Sequence, residues 1–146
     1  MRSCLTPGLV EVFQFPVTRA KTVPFLYPES PEFQAIPEVF ATGYMVGLME
    51  WCCIRSLAPA LEDGEGSLGT LIEVTHEAPT LPGAVVTVTA TLLQIEGRRV
   101  LWQVDAHDGQ DVIGRGRIGR AVVRWDRFQQ ILDQKAAKAA PAQAAP

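Results

Sequence analysis

The chain lacks several features that would assign a protein to a class directly. It has only two histidines and three cysteines, and neither residue type shows the spacing of a zinc site. The odd number of cysteines is also inconsistent with a framework of disulfides. No apolar run is long enough to span a bilayer, and the N-terminus lacks the apolar stretch of a signal peptide. We therefore expect a cytoplasmic protein that binds no metal and has no membrane partner.

The chain also has no excess of positive charge. The formal net charge is −3 and the isoelectric point is about 5.4, so the chain lacks the basic footprint of a nucleic-acid-binding protein. Arginines nevertheless cluster late in the chain, and such a cluster is compatible with a ligand that carries phosphate groups. They are Arg98, Arg99, Arg115, Arg117, Arg120, Arg124 and Arg127. With 146 residues, 47% of them hydrophobic, the chain fits one soluble globular domain.

The hydrophobic pattern predicts one long helix and five strands. Residues 41–57 form a helix that is apolar on all sides, with Thr42 as the predicted N-cap. Strand patterns cover residues 9–18, 67–78, 84–96, 99–107 and 111–125. A helix of this kind must be enclosed, and a curved antiparallel sheet is the simplest enclosure. We therefore predict an α+β hot-dog fold, in a homodimer with a continuous sheet.

The segments outside this pattern are a proline-rich stretch and the C-terminus. Residues 20–40, here called the lid segment, contain four prolines, which exclude a long helix or a central strand. The lid segment is rich in apolar side chains, so it must pack against the rest of the domain, and we predict that it forms a lid. One domain is predicted over residues 1–128, with a C-terminal extension over residues 129–146. RFQQILDQK is predicted as a terminal helix, and the low-complexity AAKAAPAQAAP is predicted to be disordered.

One carboxylate interrupts the predicted helix. No Lys, Arg or His lies three or four positions from Glu50, so any partner must come from outside the helix. On a helix, Gly43, Gly47 and Glu50 share one side, which predicts a shallow groove beside the acid. Glu50 is then a functional group at that groove, a structural acid hydrogen-bonded to the neighbouring sheet, or an acid that emerges at the helix surface.

Two more residues extend the functional hypothesis. His76 is predicted on a strand with its side chain towards the helix, where it would form a general-base pair with Glu50. The alternative is an exposed strand histidine. Thr42 is either an N-cap alone or a hydroxyl that acts as a nucleophile or positions a carbonyl. Backbone N–H groups around Gly69 would supply a donor to an oxyanion.

Long motifs of the chain resemble those of one family. The motifs are YPESPEF, PEVFATGYMVGLMEWCCIR, GEGSLGT, VTH, VTVTA, EGRR and AHDG. They resemble the fluoroacetyl-CoA thioesterases, a branch of the hot-dog thioesterases, and the likeness spans roughly residues 10–128. It implies a homodimer that hydrolyses acyl-CoA thioesters, with fluoroacetyl-CoA as the distinctive substrate. It also implies no metal and no cofactor, since CoA is part of the substrate.

The resemblance assigns roles to individual residues. It implies that Thr42, Glu50 and His76 are catalytic. The implied substrate-binding residues are Gly69, Arg120, Val23, Phe33, Ile36 and Val46. Position 36 departs from the family pattern, because Ile36 stands where the fluoroacetyl-specific enzyme carries a second Phe. An aliphatic side chain there changes the shape and the closure of the pocket.

Three functional hypotheses follow. The first is a short-chain acyl-CoA thioesterase that acts on fluoroacetyl-CoA in a detoxifying role. The second keeps the same site in a broad thioesterase for acetyl-CoA and other small acyl groups, and a comparison of kcat/KM values separates the two. The third is a non-catalytic acyl-CoA-binding dimer, which would release no free thiol.

Overall fold

The protein folds as one antiparallel sheet with a long helix against it. The structure, a computed structural model, describes residues 1–139. Its strands are β1 (Val10–Pro16), β2 (Glu65–Val74), β3 (Val85–Glu96), β4 (Arg99–His107) and β5 (Val112–Arg124). They pair in the order β1-β3-β4-β5-β2, which leaves β1 and β2 at the edges. The helices are α1 (Pro31–Gln34), α2 (Thr42–Leu57) and α3 (Trp125–Ala139). The predicted α+β class, with one long helix and five strands, is confirmed.

The core lies between α2 and the sheet, and strand alternation determines which residues enter it. Every second residue of β3 and β4 points at the helix, as the period of two predicted. These residues are Val86, Val88, Ala90, Leu92, Val100, Trp102, Val104 and Ala106, and each is at most 2% exposed. The helix contributes Met45, Met49, Cys52 and Cys53, all fully buried. The predicted core faces of both strands are therefore confirmed.

The helix is not enclosed on all sides within one chain. Its outward side includes Trp51 and Ile54, whose side chains are 47% and 39% exposed. The enclosure expected from the apolar composition of the helix is incomplete within one chain, because the five-stranded sheet covers only one side of it. Apolar surface on the open side remains available to another element.

The lid segment is irregular, as its prolines predicted. It consists of two 3-10 turns, Arg19–Lys21 and Val23–Phe25, followed by the single turn of α1. Backbone hydrogen bonds join its two ends, from the Ala41 N–H to the Lys21 carbonyl at 3.0 Å and from the Val23 N–H to the Val39 carbonyl at 2.9 Å. The lid segment is thus a loop closed at its base, beside the start of α2.

The chain ends in a helix that is longer than expected. The predicted terminal helix is confirmed, but α3 continues past Lys135 to Ala139. The first alanines of the tract predicted to be disordered are therefore helical, because Ala has the highest helix propensity. The rest of that tract, residues 140–146, lies outside the described residues. Over residues 1–139, no helix is long and apolar enough to cross a membrane.

Candidate active site

Thr42, the first residue of α2, contacts a histidine instead of capping its own helix. Its Oγ1 lies 2.7 Å from Nδ1 of His76. Ala41 occupies the N-cap position, and no side chain caps the helix there. The predicted N-cap role of Thr42 is therefore wrong. A hydroxyl within hydrogen-bond distance of an imidazole is the arrangement in which histidine activates a nucleophile.

His76 lies just past the end of β2, so the prediction of a strand position is wrong by two residues. Two backbone hydrogen bonds to β5 still hold the segment, from the Thr75 N–H to the Arg115 carbonyl and from the Glu77 N–H to the Ile113 carbonyl. They fix the backbone on both sides of His76. The imidazole consequently points at the start of α2, the direction that the sequence predicted.

A groove of about 290 Å³ opens beside this pair. It is lined by Val23, Val39, Phe40, Thr42, His76, Glu77, Ala78 and Pro79. Val23, a predicted substrate contact, therefore belongs to this threonine–histidine groove. Phe33 and Ile36 do not line it, because Phe33 packs edge-on against Tyr27 and the Ile36 side chain is 42% exposed on the lid segment.

Glu50 is paired, and its partner is Arg120 of β5. Nη1 of Arg120 donates a hydrogen bond to Oε1 of Glu50. Arg120 is only 5% exposed. Its Nε donates to the Ser67 hydroxyl at 2.9 Å, and its Nη2 donates to the Ser67 carbonyl at 2.8 Å. All three guanidinium nitrogens are engaged, so the buried charge is satisfied and the carboxylate is held in one orientation.

Gly69 provides the space that the Glu50 carboxylate occupies. A Cβ atom at position 69 would lie 2.5 Å from Oε1 of Glu50, closer than two such atoms approach. Gly69 also faces Arg120 in the register of β2 and β5, directly before a bulge in β2. The structure thus brings together Glu50, Gly69 and Arg120, three of the residues predicted for the site.

Among residues 1–139, the predicted glycine groove does not open beside Glu50. Leu26 of the lid segment covers Gly43, since its Cδ2 would lie 3.1 Å from a Cβ there. Gly43 and Gly47 instead border a cavity of about 170 Å³ whose other walls are largely aromatic. Those walls are Phe15, Lys21, Phe40, Tyr44, Leu48 and Trp51. Glu50 turns away from this cavity, towards β2 and β5.

The two clusters lie apart within one chain. Thr42 and Glu50 are eight residues apart on α2, which corresponds to about 12 Å along the axis. The half-buried Val46 lies between them, one turn from each. The prediction that Glu50 and His76 pair directly is therefore wrong within one chain, where each has another partner.

Comparison with known proteins identifies the family. The profile of the family described as fluoroacetyl-CoA-specific thioesterase matches residues 17–126. The chain belongs to this family. The predicted family and the predicted enzyme class, an acyl-CoA thioester hydrolase, are both confirmed.

The relatives of this thioesterase include proteins of known structure. The fluoroacetyl-CoA thioesterase of Streptantibioticus cattleyicolor is 61% identical over 121 residues, covering 83% of this chain and 87% of that protein. A mutant of the fluoroacetyl-CoA-specific thioesterase FlK, in complex with fluoroacetate and CoA, is 59% identical with a TM-score of 0.84, covering 85% and 99% of the two chains. A hot-dog-like protein from Thermanaerovibrio acidaminovorans, 24% identical with a TM-score of 0.77, covers 90% of this chain and 93% of its own. This last likeness concerns the fold alone, and it supports the predicted hot-dog arrangement.

Ser67 is the residue of this thioesterase that the sequence reasoning missed. It binds Arg120 through both its hydroxyl and its carbonyl, and thereby fixes the partner of Glu50. The available signal was the alternation of β2, which places Ser67 and Gly69 on the same face. Without the pairing of β2 with β5, nothing in the sequence connected that face to Arg120.

The pH profile of the thioesterase tests the role of His76. Burial lowers the pKa of the imidazole below its ordinary value of 6.5, and a backbone hydrogen bond with Ala78 opposes this effect. A base must be neutral to accept a proton, so we expect the acid limb of log kcat/KM to have its midpoint below pH 6.5. Thiol release measured across pH gives the profile. The role is contradicted by a midpoint above 6.5, or by an unchanged limb in the His76→Asn variant.

Proposed function

We propose that this thioesterase hydrolyses fluoroacetyl-CoA to fluoroacetate and CoA, a detoxifying reaction that we place in the cytoplasm. The observation that carries the proposal is the Thr42 hydroxyl, 2.7 Å from the His76 imidazole at the edge of a largely apolar groove. The name of the Streptantibioticus relative and the FlK complex with fluoroacetate and CoA support the choice of acyl group. The groove suits a small acyl group, because most of its lining is apolar.

In the proposed mechanism, Thr42 is the nucleophile and His76 is its base. With the imidazole proton on Nε2, Nδ1 accepts the Thr42 proton as Oγ1 attacks the thioester carbonyl. The carbon–sulfur bond then breaks, and the CoA sulfur takes the proton from the imidazolium. Glu50 then takes a proton from a water molecule, which attacks the acyl-threonine ester. The bond from the acyl carbon to Oγ1 breaks, Oγ1 recovers that proton from Glu50, and the free acid leaves. Backbone N–H groups near Gly69 stabilise the oxyanion in both steps.

We further propose that the active enzyme is a homodimer joined through β2. This strand lies at an edge of the sheet, and its Leu71 and Ile72 side chains are 37% and 50% exposed. Exposed apolar edges favour pairing with another chain, and two-fold pairing of β2 with its copy continues the sheet. The first half of β2 then lies opposite the second half of its copy. Gly69, with Glu50 and Arg120, thereby approaches His76 of the second copy.

The substrate proposal is tested by comparing fluoroacetyl-CoA with acetyl-CoA in a thiol-release assay. We expect a higher kcat/KM for fluoroacetyl-CoA. Fluorine and hydrogen differ little in size, so an apolar pocket alone discriminates weakly and a strong preference requires the chemistry or the closure of the lid segment. The Ile36→Phe variant is expected to raise the preference, since an aromatic side chain closes the lid segment more completely.

The matched control is Ile131→Phe, the same change at an exposed position on α3. It is expected to leave the substrate preference unchanged. Equal kcat/KM values for both esters would favour the broad short-chain thioesterase instead. Absence of thiol release from every acyl-CoA would overturn the enzymatic proposal in favour of a non-catalytic acyl-CoA-binding protein.

A further inference from the structure

A cavity on the side of α2 that faces β1 takes no part in the proposed chemistry. It is the cavity of about 170 Å³ beside Gly43 and Gly47, here called the aromatic cavity. Phe15 of β1 and Lys21 of the lid segment border it as well. We infer that the aromatic cavity binds a small aryl carboxylate, that is, a flat apolar ring with one negative charge. The inference goes beyond the proposed function, because this ligand is neither the thioester nor its product.

The aromatic cavity arises where α2 lacks side chains and β1 supplies rings. Gly43 and Gly47 lie four residues apart on α2, so one strip of the helix surface is bare for a full turn. A Cβ at position 47 would have no atom of residues 1–139 within 4 Å. Phe15 faces the same side of β1 as Phe13, whose ring lies 4.6 Å from that of Trp51. The open volume is therefore bounded largely by aromatic rings.

The walls of the aromatic cavity favour a planar apolar ligand. Phe15, Phe40, Tyr44 and Trp51 each contribute a ring. Aromatic pairs in offset or edge-on contact are stabilised beyond the area that they bury. Pockets for drug-sized ligands start at about 300 Å³, so a volume of about 170 Å³ suits a smaller molecule, the size of one substituted ring. Nucleotides and long acyl chains are too large for it.

Lys21 supplies the charge that selects a carboxylate. It is half-buried, and its Nζ lies 4.6 Å from the centre of the Tyr44 ring. Among residues 1–139, its ammonium group has no carboxylate partner, whereas the neighbouring Arg19 is paired with Glu38 at 2.6 Å. Aromatic walls alone would also attract a cation, but the ammonium group repels one. An anion is therefore the complementary ligand, and a carboxylate accepts a charge-assisted hydrogen bond from Lys21.

The aromatic cavity is separate from the threonine–histidine groove but shares one wall with it. Phe40, which is 1% exposed, lines both spaces. The Lys21 carbonyl accepts a hydrogen bond from the Ala41 N–H at 3.0 Å, which fixes the lid segment beside this wall. The cavity also lies towards β1, at the opposite edge of the sheet from β2, where the proposed dimer forms. An aryl carboxylate and a CoA ester can therefore bind to the same enzyme at once.

The test is calorimetric titration of the full-length enzyme with benzoate and two relatives of it. Benzamide keeps the ring and loses the charge, whereas acetate keeps the charge and loses the ring. We expect benzoate to bind wild-type enzyme, and each relative to bind at least about tenfold more weakly, because each lacks one kind of contact. Saturating CoA should leave the affinity for benzoate unchanged. The titration needs no turnover, so its result does not depend on which ester the enzyme hydrolyses.

Two variants separate the charge of the aromatic cavity from its volume. Lys21→Gln is expected to bind benzoate about tenfold more weakly and benzamide as well as wild-type enzyme does. Lys135→Gln, the same change at an exposed position on α3, is the matched control and should bind both as wild-type enzyme does. Gly47→Leu places a side chain in the cavity and should abolish benzoate binding. Its melting temperature should not fall, because leucine has a higher helix propensity than glycine.

Four results would overturn the inference. The first is absence of benzoate binding to wild-type enzyme. The second is equal affinity for benzoate and benzamide, which would leave Lys21 without a role. The third is displacement of benzoate by CoA, which would place it in the substrate site. The fourth is a smaller assembly of Gly47→Leu than of wild-type enzyme in sedimentation equilibrium, which would make a second copy of the chain the occupant.

Discussion

Thr42→Ala and Glu50→Gln are each expected to retain at most about 1% of wild-type turnover, the usual loss for an acid–base or nucleophilic group. Dimers that combine the two variants are nevertheless expected to regain substantial activity. The reason is the separation of the two clusters on α2, about 12 Å within one chain. If each site takes Thr42 and His76 from one copy and Glu50 from the other, a mixed dimer has one intact site and one site with both substitutions.

The measurement is thiol release by dimers purified from co-expression of two differently tagged chains. Purified mixed dimers should show about half of the wild-type activity, and a random mixture about a quarter. Thr42→Ala combined with His76→Ala is the matched control. Both residues belong to the same cluster, so every site of that dimer contains a defect and no activity returns.

Two outcomes would contradict the shared site. Activity of the Thr42→Ala and Glu50→Gln mixture no higher than that of its parents would place each site within one chain. If sedimentation equilibrium shows a monomer at a concentration where turnover is normal, the proposed dimer is contradicted. Recovery in both mixtures would show that Thr42 and His76 do not act together.

Gly69→Ala is expected to reduce kcat about 100-fold, although it adds a single methyl group. That methyl group would lie 2.5 Å from Oε1 of Glu50, so the carboxylate must move. Glu50 can rotate about its side-chain torsions, whereas Arg120 remains held by Ser67. The fold should therefore survive while the position of the carboxylate is lost. Thermal melting should show a decrease of only a few degrees, measured beside kcat.

Gly47→Ala is the matched control for this substitution. A Cβ at position 47 would have no atom of residues 1–139 within 4 Å, and the residue lies on α2 like Glu50. Replacing a helical Gly with Ala stabilises a helix by up to about 1 kcal/mol, so its melting temperature should rise slightly. Wild-type kcat in Gly69→Ala would show that the orientation of Glu50 against Arg120 has no part in turnover. A collapse of the melting temperature would instead show a structural role for Gly69.

The parts of this protein that could be predicted from the sequence depend on local repetition. The core faces of β3 and β4 follow from a period of two, and α2 follows from a continuous apolar segment. The partners of the site residues do not follow from such patterns. Thr42 bonds with a residue 34 positions away, and Glu50 bonds with one 70 positions away. The contact of Glu50 with Arg120 could be identified only once the pairing of β2 with β5 was known.

Resemblance to a family supplied the candidate site residues but not their grouping. It implied Thr42, Glu50 and His76 as one catalytic set, and the structure divides that set between the two ends of a helical segment. The N-cap prediction for Thr42 failed for a related reason. Capping preferences concern the nearest backbone, and a competing imidazole from another element overrode them.

The hydrogen bonds at the base of the lid segment hold its two ends together independently of the residues between them. Its ends are held by backbone hydrogen bonds at Lys21–Ala41 and Val23–Val39, so the loop is closed whatever its interior contains. The entropy of loop closure changes only slowly with length, so insertions and deletions between these bonds cost little free energy of unfolding through loop closure. Ile36 lies within this interval. If Ile36 shapes the substrate pocket as proposed, specificity can change in this loop while the sheet and α2 stay unchanged.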